Sequence, residues 1–342
     1  MKKKARNLLK IGAIYLGTVL GAGFASGQEL LLFFVRFSKR GLVGCFLAGV
    51  LFCLLGALIL KRSYSLSEKN CKQYLKTVFP KGISSFLQGT MEVFLCISFC
   101  IMLSGAGAFF KERFSLSPFI GILVTDLICL LVFLYDLEGL SFLNLLLTPV
   151  MLLGTVYVCF FALFAESSMV WLPQVHPHGR FLPYALLYVG YNMLTATAVL
   201  VPTVALAESE KTAVRGGVLG GVCLSIMALL SCLALYFQNE VWQSALPMLL
   251  LSRKAGMWAY GVYSAVLYMA MLTTAVSTGF SVVKSVERVG FGKRKGALTV
   301  CLAALPLSFV EFSTLVRYCY VFFGILGLIL IAGILWDWYK RL

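Results

Sequence analysis

Charge is scarce in this chain, and acid is scarcer than base. Of 342 residues only 13% are charged, with 14 Asp and Glu against 29 Lys and Arg. Soluble domains carry about 25% charged residues, so a soluble fold of this length would lack the polar surface to cover itself. Long polar stretches are missing as well. The longest, Lys61 to Gly82, leaves no room for a separate soluble domain and suits a loop with one amphipathic helix. No C-x-x-C pair occurs among the 11 cysteines, and most lie in apolar runs (Cys53, Cys96, Cys100, Cys129, Cys223, Cys232). Cysteine there is a small hydrophobe, so neither a disulfide framework nor a zinc site is indicated. Walker, G-x-S-x-G and H-E-x-x-H motifs are absent, which argues against an enzyme. His176-Pro-His178 has a metal-like spacing, but with no third ligand nearby it reads as a solvated loop.

What the chain has instead is apolar length. Hydrophobic residues make up 60% of it, and its mean hydropathy is +0.92. Ten apolar segments are long enough to be candidate spans: Leu8–Phe37, Gly41–Leu60, Ile83–Phe110, Pro118–Tyr135, Ser141–Ala165, Leu182–Ala207, Gly217–Phe237, Trp258–Val283, Ala297–Leu315 and Tyr318–Tyr339. In lipid every backbone polar group must be paired within its segment, so these are expected to be helices. The ten-residue alternation of a membrane β-barrel is not seen. The expected fold is all-α, an integral membrane protein with ten transmembrane helices in one domain over 1–342. The start, Met-Lys-Lys-Lys-Ala-Arg, precedes an apolar run too long for a signal peptide and reads as a retained first helix.

The basic residues test this layout. With the N-terminus inside, the outer loops hold Arg36, Lys39, Arg40, Lys111, Arg113, Arg180, Arg253, Lys254 and Arg317, and the other 20 of the 29 fall inside. That bias places both termini in the cytoplasm and the chain in a bacterial inner membrane. It also accounts for the net charge of +15 without nucleic acid as a partner. Trp171, Trp258, Trp336, Trp338 and Tyr339 sit at segment ends as an interfacial belt. A short helix on the membrane surface is expected in the outer loop Asn239–Met257.

Two segments are unlike the rest. The first contains Gly17-Thr-Val-Leu-Gly-Ala-Gly-Phe-Ala-Ser-Gly-Gln-Glu29. Each glycine in a helix interior costs about 1 kcal/mol, so this concentration signals a break. Ser26-x-x-Glu29 matches a capping box, the start of a new helix. The helix is therefore expected to stop near Leu20, cross Gly21–Ala25 as extended chain and restart near Ser26. The sixth segment gathers Gly190, Asn192, Thr195 and Thr197 ahead of Pro202, a weaker signal of a second break. The two lie half the chain apart, and five spans per half is odd. The halves, about 8–165 and 182–339, are therefore expected to be inverted repeats. Matching broken helices in inverted halves point to a transporter's substrate site.

Ile11 to Phe34, together with Met102-Leu-Ser-Gly-Ala-Gly-Ala-Phe-Phe110, closely resembles the YkvI-type bacterial membrane proteins, and the likeness runs over most of the chain. That family is similar to the amino acid–polyamine–organocation superfamily. The resemblance implies a LeuT-like 5+5 inverted repeat with helices 1 and 6 interrupted, but no particular ligand.

A broken helix offers amides at one end and carbonyls at the other, which suits a zwitterion such as an amino acid. The expected substrate-binding residues are Gly21, Ala22, Gly23, Phe24, Ala25 and Ser26, with Gly190, Tyr191, Asn192 and Thr195. Related carriers bind Na⁺ between helix-1 carbonyls and an A-x-x-[ST]-[ST] pattern in helix 8. Here that implies Gly17 and Leu20 with Ala270, Thr273, Thr274 and Ser277, although such hydroxyls also bond back to their own helix. The fifth segment has no Lys to act as a proton-carrying ammonium. Among the acids, Glu29 is expected to cap the restarted helix. Glu92 is read as a proton carrier or as a hydrogen-bonded acid holding two helices together, Asp126 is unassigned, and Glu311 and Arg317 form a candidate outer pair. No cofactor is expected beyond Na⁺ or H⁺ as the coupling ion. The expected function is secondary transport of a small organic solute by alternating access. The alternative is a ligand sensor on the same fold, comparable to germinant-receptor membrane subunits.

Overall fold

The computed structural model describes residues 2–67, 69–135, 140–164 and 181–342, and among them there are helices and turns but no strand. The loop carrying Trp171, His176, His178 and Arg180 lies outside the described residues. Helix α1 (Lys2–Val19) is followed by a single turn, α2 (Ala22–Ser26), by α3 (Gln28–Phe33), and after a 3₁₀ turn by α4 (Ser38–Ser65). Next come the short α5 (Cys71–Val78), then α6 (Lys81–Phe114), α7 (Pro118–Tyr135) and α8 (Leu140–Phe164). The second half contains α9 (Phe181–Thr203), α10 (Glu210–Tyr236), the short α11 (Pro247–Lys254), α12 (Met257–Arg288) and α13 (Lys293–Ser308). It closes with α14 (Phe312–Leu315), a π turn at Val316–Tyr320, and α15 (Val321–Tyr339).

Among the described residues, seven helical stretches are long and apolar enough to cross a membrane. Three expected spans fall outside that count for local reasons. The first apolar segment is cut at Val19. The apolar part of α8 that is described as such is Thr148–Phe164. Helix α13 has 16 residues and opens on Lys-Arg-Lys.

The helices pack as two groups. Helices α1, α4, α9 and α10 form one, with α15 laid along α9; α6, α7, α8, α12 and α13 form the other. In lipid there is no hydrophobic gain from bringing helices together, so close packing of small residues takes its place. The α4–α10 contact is built this way, with Gly49 facing Ser225, Gly217 facing the backbone of Gly56, and Gly221 facing that of Cys53. Tyr15 of α1 fills the remaining space beside Gly56 and Gly220, and its hydroxyl donates to the Phe52 carbonyl at 3.0 Å.

The loop helices differ in detail from expectation. Helix α5 starts at an Asn70 cap, whose side chain accepts from the Lys72 amide at 2.9 Å. Helix α11, expected on the membrane surface, is packed into the protein. Pro247, Met248, Leu249, Leu251 and Ser252 are buried, because Met248 packs directly on Gly27.

Glycine therefore has two meanings here, and they can be separated by melting. A Cβ on Gly190 would strike the backbone of Gly324, whereas one on Gly89 meets nothing within 4 Å. Gly190→Ala should lower stability by about 1–3 kcal/mol through overpacking. Gly89→Ala should raise it by up to about 1 kcal/mol through helix propensity. Thermal unfolding of the two purified variants checks both signs.

Candidate functional site

Helix α1 ends in mid-segment. Its last four carbonyls have no partner inside the helix. The Leu20 amide takes that of Leu16 at 2.8 Å and the Gly21 amide takes that of Val19 at 2.8 Å, which leaves those of Gly17 and Thr18. Gly21 is extended, with φ −81° and ψ −174°. The chain then recoils at once into α2, so only the Leu20–Gly21 step is unwound rather than the whole of Gly21–Ala25. A second kink follows at Gly27, where φ is +81°. Glycine suits this left-handed position, and a Cβ there would also collide with Met248.

The expected capping box does not form. The Ser26 hydroxyl donates to the Gly23 carbonyl at 2.6 Å and accepts from the Gln28 amide at 3.2 Å. Glu29 turns away from the cap and accepts a short hydrogen bond from the Tyr191 hydroxyl of α9. It is only 5% exposed. Its carboxyl lies against Gly23, in space that any side chain at that position would occupy.

The second expected interruption is also absent. Helix α9 runs unbroken from Phe181 to Thr203. The polar residues that suggested a break bond back to their own turn: Asn192 donates to the Tyr188 carbonyl at 2.9 Å, Thr195 to that of Asn192 at 3.0 Å, and Thr197 to that of Met193 at 2.6 Å. Gly190 serves close approach, packing on the backbones of Gly324 and Gly327 of α15. Pro202 is the penultimate residue of α9. It has no amide to give Ala198, whose carbonyl loses its helical partner there.

A cavity of about 710 Å³ lies between the two helix groups, lined by α1, the break, α6, α8, α9 and α12. Its polar side chains among the described residues are hydroxyls, those of Thr18, Thr148, Thr195, Thr274, Ser277, Thr278 and Ser281, and none of the described lining residues is charged. Leu16, Met91, Phe94, Leu95, Met151 and Leu194 are among its apolar walls. From Gly21 the cavity extends toward Ala13 and Ser281, the ends at which α1 carries Arg6 and Lys10 and α12 carries Lys284 and Arg288.

The opposite side is closed. Tyr191 stacks on Tyr320 of the π turn at 4.6 Å and on Phe33 at 5.6 Å. Phe94 joins this cluster from the cavity wall, 6.3 Å from Tyr191 and 6.1 Å from Tyr320. Tyr263 of α12 donates to the Ala25 carbonyl at 2.7 Å, tying the short turn to the second helix group. Glu112 at the end of α6 accepts from the Ser244 hydroxyl at 2.6 Å and from the Ala245 amide at 3.0 Å, which holds the α11 loop in place.

Of the expected substrate residues, Gly21, Ala22 and Thr195 line the cavity. Gly23, Phe24, Ala25, Ser26, Gly190, Tyr191 and Asn192 are buried behind it in the closed layer. Of the expected ion ligands, Gly17, Leu20, Ala270, Thr274 and Ser277 line the cavity. Thr273 is fully buried, and its hydroxyl donates to the Met269 carbonyl at 2.8 Å. Glu92 is not a buried acid: it is exposed on α6 and pairs with Lys72 of α5 at 3.5 Å. Glu311 precedes α14 and accepts from Thr314 at 3.5 Å rather than pairing with Arg317.

Sequence reasoning passed over Thr18, Thr148, Phe94 and Ser281. Ser281 was findable, since 270, 274, 277, 278 and 281 follow one helical face. The Glu29–Tyr191 pair was not: the partners are 162 residues apart, and a local motif already explained the acid.

Two proteins of Bacillus subtilis are similar along almost the full length of the chain. Uncharacterized membrane protein YkvI is 27% identical over 337 residues, covering 98% of this chain and 97% of YkvI. The chain is similar to YkvI from end to end. Uncharacterized protein YyaD is 23% identical, with 94% of each chain covered. No family model matches. Among solved structures, Mhp1 in its inward-facing conformation superposes with a TM-score of 0.67 at 14% identity, covering 94% of this chain and 73% of Mhp1. A manganese transporter of Eremococcus coleocola gives 0.65 at 13% identity, over 94% of this chain and 77% of its own. A Na⁺-coupled sialic acid symporter gives 0.57 at 14% identity, over 96% and 78%. The chain thus shares the fold of these membrane proteins.

The two glycines of the break respond differently to a methyl group. Gly21 is extended with open space at its Cβ, whereas Gly27 has positive φ and Met248 against it. Gly27→Ala should destabilise by about 1–3 kcal/mol, and Gly21→Ala should be near neutral. Comparison of their melting temperatures checks this.

Proposed function

We propose that this protein is a secondary transporter of a small organic solute, neutral or zwitterionic, working by alternating access in a bacterial inner membrane with both termini cytoplasmic. The observation that carries the reading is the cavity that ends on the unwound Leu20–Gly21 step and is sealed on its far side by the Tyr191–Tyr320 layer. Irregular backbone at membrane depth is tolerated where it lines a cavity, and one open side with one closed side is what a carrier has in one of its states. The cavity lies toward the basic helix ends, which supports an inward-facing state. Mhp1 accords with this: its inward-facing form superposes at 0.67 and its closed form at 0.56.

The lining supports the solute class. Uncharged walls with seven hydroxyls disfavour a substrate of net charge, while helix-end carbonyls and amides offer partial charges of both signs. Among the described residues no three His, Cys, Asp or Glu side chains come together as a metal would require, which favours an organic solute over a metal cargo. The ten-span 5+5 layout is supported by the matched packing of α1 on α10 and of α4 on α9. For the coupling ion, carbonyls of Gly17 and Leu20 with hydroxyls of Thr274 and Ser277 form a hard-oxygen set suited to Na⁺; Thr273 drops out of it.

Purified protein screened by thermal shift against amino acids and nucleobases, with and without Na⁺, should yield a stabilising ligand. Sealed proteoliposomes should then accumulate that ligand down a cation gradient. Saturable binding without accumulation would instead identify a sensor. Thr274→Ala should raise the half-saturating Na⁺ concentration roughly tenfold, about 1.4 kcal/mol of ion binding, and Thr273→Ala should not. An unchanged Na⁺ response in Thr274→Ala removes this ion site.

A further inference from the structure

Glu29 has no part in the cavity just described, yet it sits at the centre of the closed layer. It is the acid of α3, buried between the broken helix and α9, and its carboxyl accepts from the Tyr191 hydroxyl. Among the described residues its surroundings hold no countercharge. From α9 it faces Tyr191 and Tyr188, from the π turn Tyr320, and from α6 the ring of Phe94 stacked into the same cluster. Helix α2 presents Gly23 and no titratable group, and α10 presents Cys232 beside Tyr188. The nearest arginine in the chain, Arg36, lies with Tyr184 and Arg317 instead. Among the described residues no Lys or Arg forms an ion pair with Glu29.

We propose that Glu29 is a proton-binding site: the closed layer forms around the neutral carboxylic acid, and opening it releases that proton. An ionised carboxylate walled by tyrosine and phenylalanine rings, with no cation beside it, is strongly disfavoured. The neutral acid is compatible with the packing, because Tyr191 donates to one oxygen and the other rests against Gly23. Opening must part α3 from Tyr191 and Tyr320, since these residues are the closure. Water then reaches the carboxyl and stabilises its ionised form. The balance is simple: the O–H bond breaks on opening, the proton passes to water, and resealing takes one back. Ala22, next to Gly23, already lines the cavity, so one turn of small residues separates the acid from the other water-accessible side. A group placed between the two sides in this way makes the proton a coupling ion. That last step rests on the carrier reading; the dependence of the seal on a proton does not.

The test uses the full-length protein in lipid nanodiscs and needs no solute. Amide hydrogen exchange of segments 22–37 and 312–323 is followed against pH, after correction for intrinsic exchange. The sealed state holds the proton, so its advantage is present at low pH and is lost as pH rises. The opening equilibrium should therefore climb by about tenfold per pH unit, the slope for one proton, across the range where open and sealed states differ in protonation. Glu29→Gln keeps the shape and the bond from Tyr191, and should stay protected with no slope. A flat wild-type profile, or an equal slope in Glu29→Gln, overturns the proposal. Tyr191→Phe serves as a second variant if Glu29→Gln fails to fold. The infrared carbonyl band of the buried acid should then shift through loss of its donor, and an unmoved band overturns the assignment to Glu29. Absence of solute flux alongside these results would count against the carrier reading alone.

Discussion

Where α1 stops at Val19, peptide groups are freed among buried residues in the middle of the first apolar segment, and the rest of the site follows from that constraint. The amides of Leu20 and Gly21 fold back on Leu16 and Val19, and α2 resumes within one residue. The groups left over face a cavity lined by hydroxyls. Helices α1, α8, α9 and α12 each supply hydroxyls that can replace water, and α6 supplies an apolar wall of Met91, Phe94 and Leu95.

The same break explains how the far side closes. A single helix turn ending in a left-handed Gly27 is too short to hold its own direction. It is held by others: Tyr263 on the Ala25 carbonyl, Met248 against Gly27, and Glu29 across to Tyr191. These contacts come from α12, α11 and α9, so the orientation of a five-residue turn reports the position of both helix groups. A turn held from both groups has to follow any change in how they sit. The π turn at Tyr320 belongs to this layer, and such turns mark sites where a helix gives up regularity for function.

Several expectations failed for a common reason. Ser26-x-x-Glu29 is a good local capping pattern, and Gly190-Tyr-Asn with two threonines is a fair local breaking pattern. Both assume that a polar side chain near a helix end answers to its own backbone. In α9 that assumption holds so well that the helix does not break, because Asn192, Thr195 and Thr197 all bond within their own turn. In α3 it fails, because a tyrosine from the other half of the chain competes for the carboxylate. Glu92 failed differently. Its segment is apolar, but it faces Lys72 of a loop helix rather than the helix interior, and hydropathy alone cannot tell which face of a span turns outward.

Composition and periodicity alone determined that the chain is a membrane protein, that it is helical and that the first apolar segment breaks near Leu20. Each of these follows from local energetics, such as the cost of charge in hydrocarbon or of glycine in a helix, and needs no partner. Only the tertiary structure decided which helices enclose the cavity, that α9 stays whole, and that Glu29 meets Tyr191. Those are contacts between segments far apart in the chain, and their energies depend on distances that no local pattern encodes.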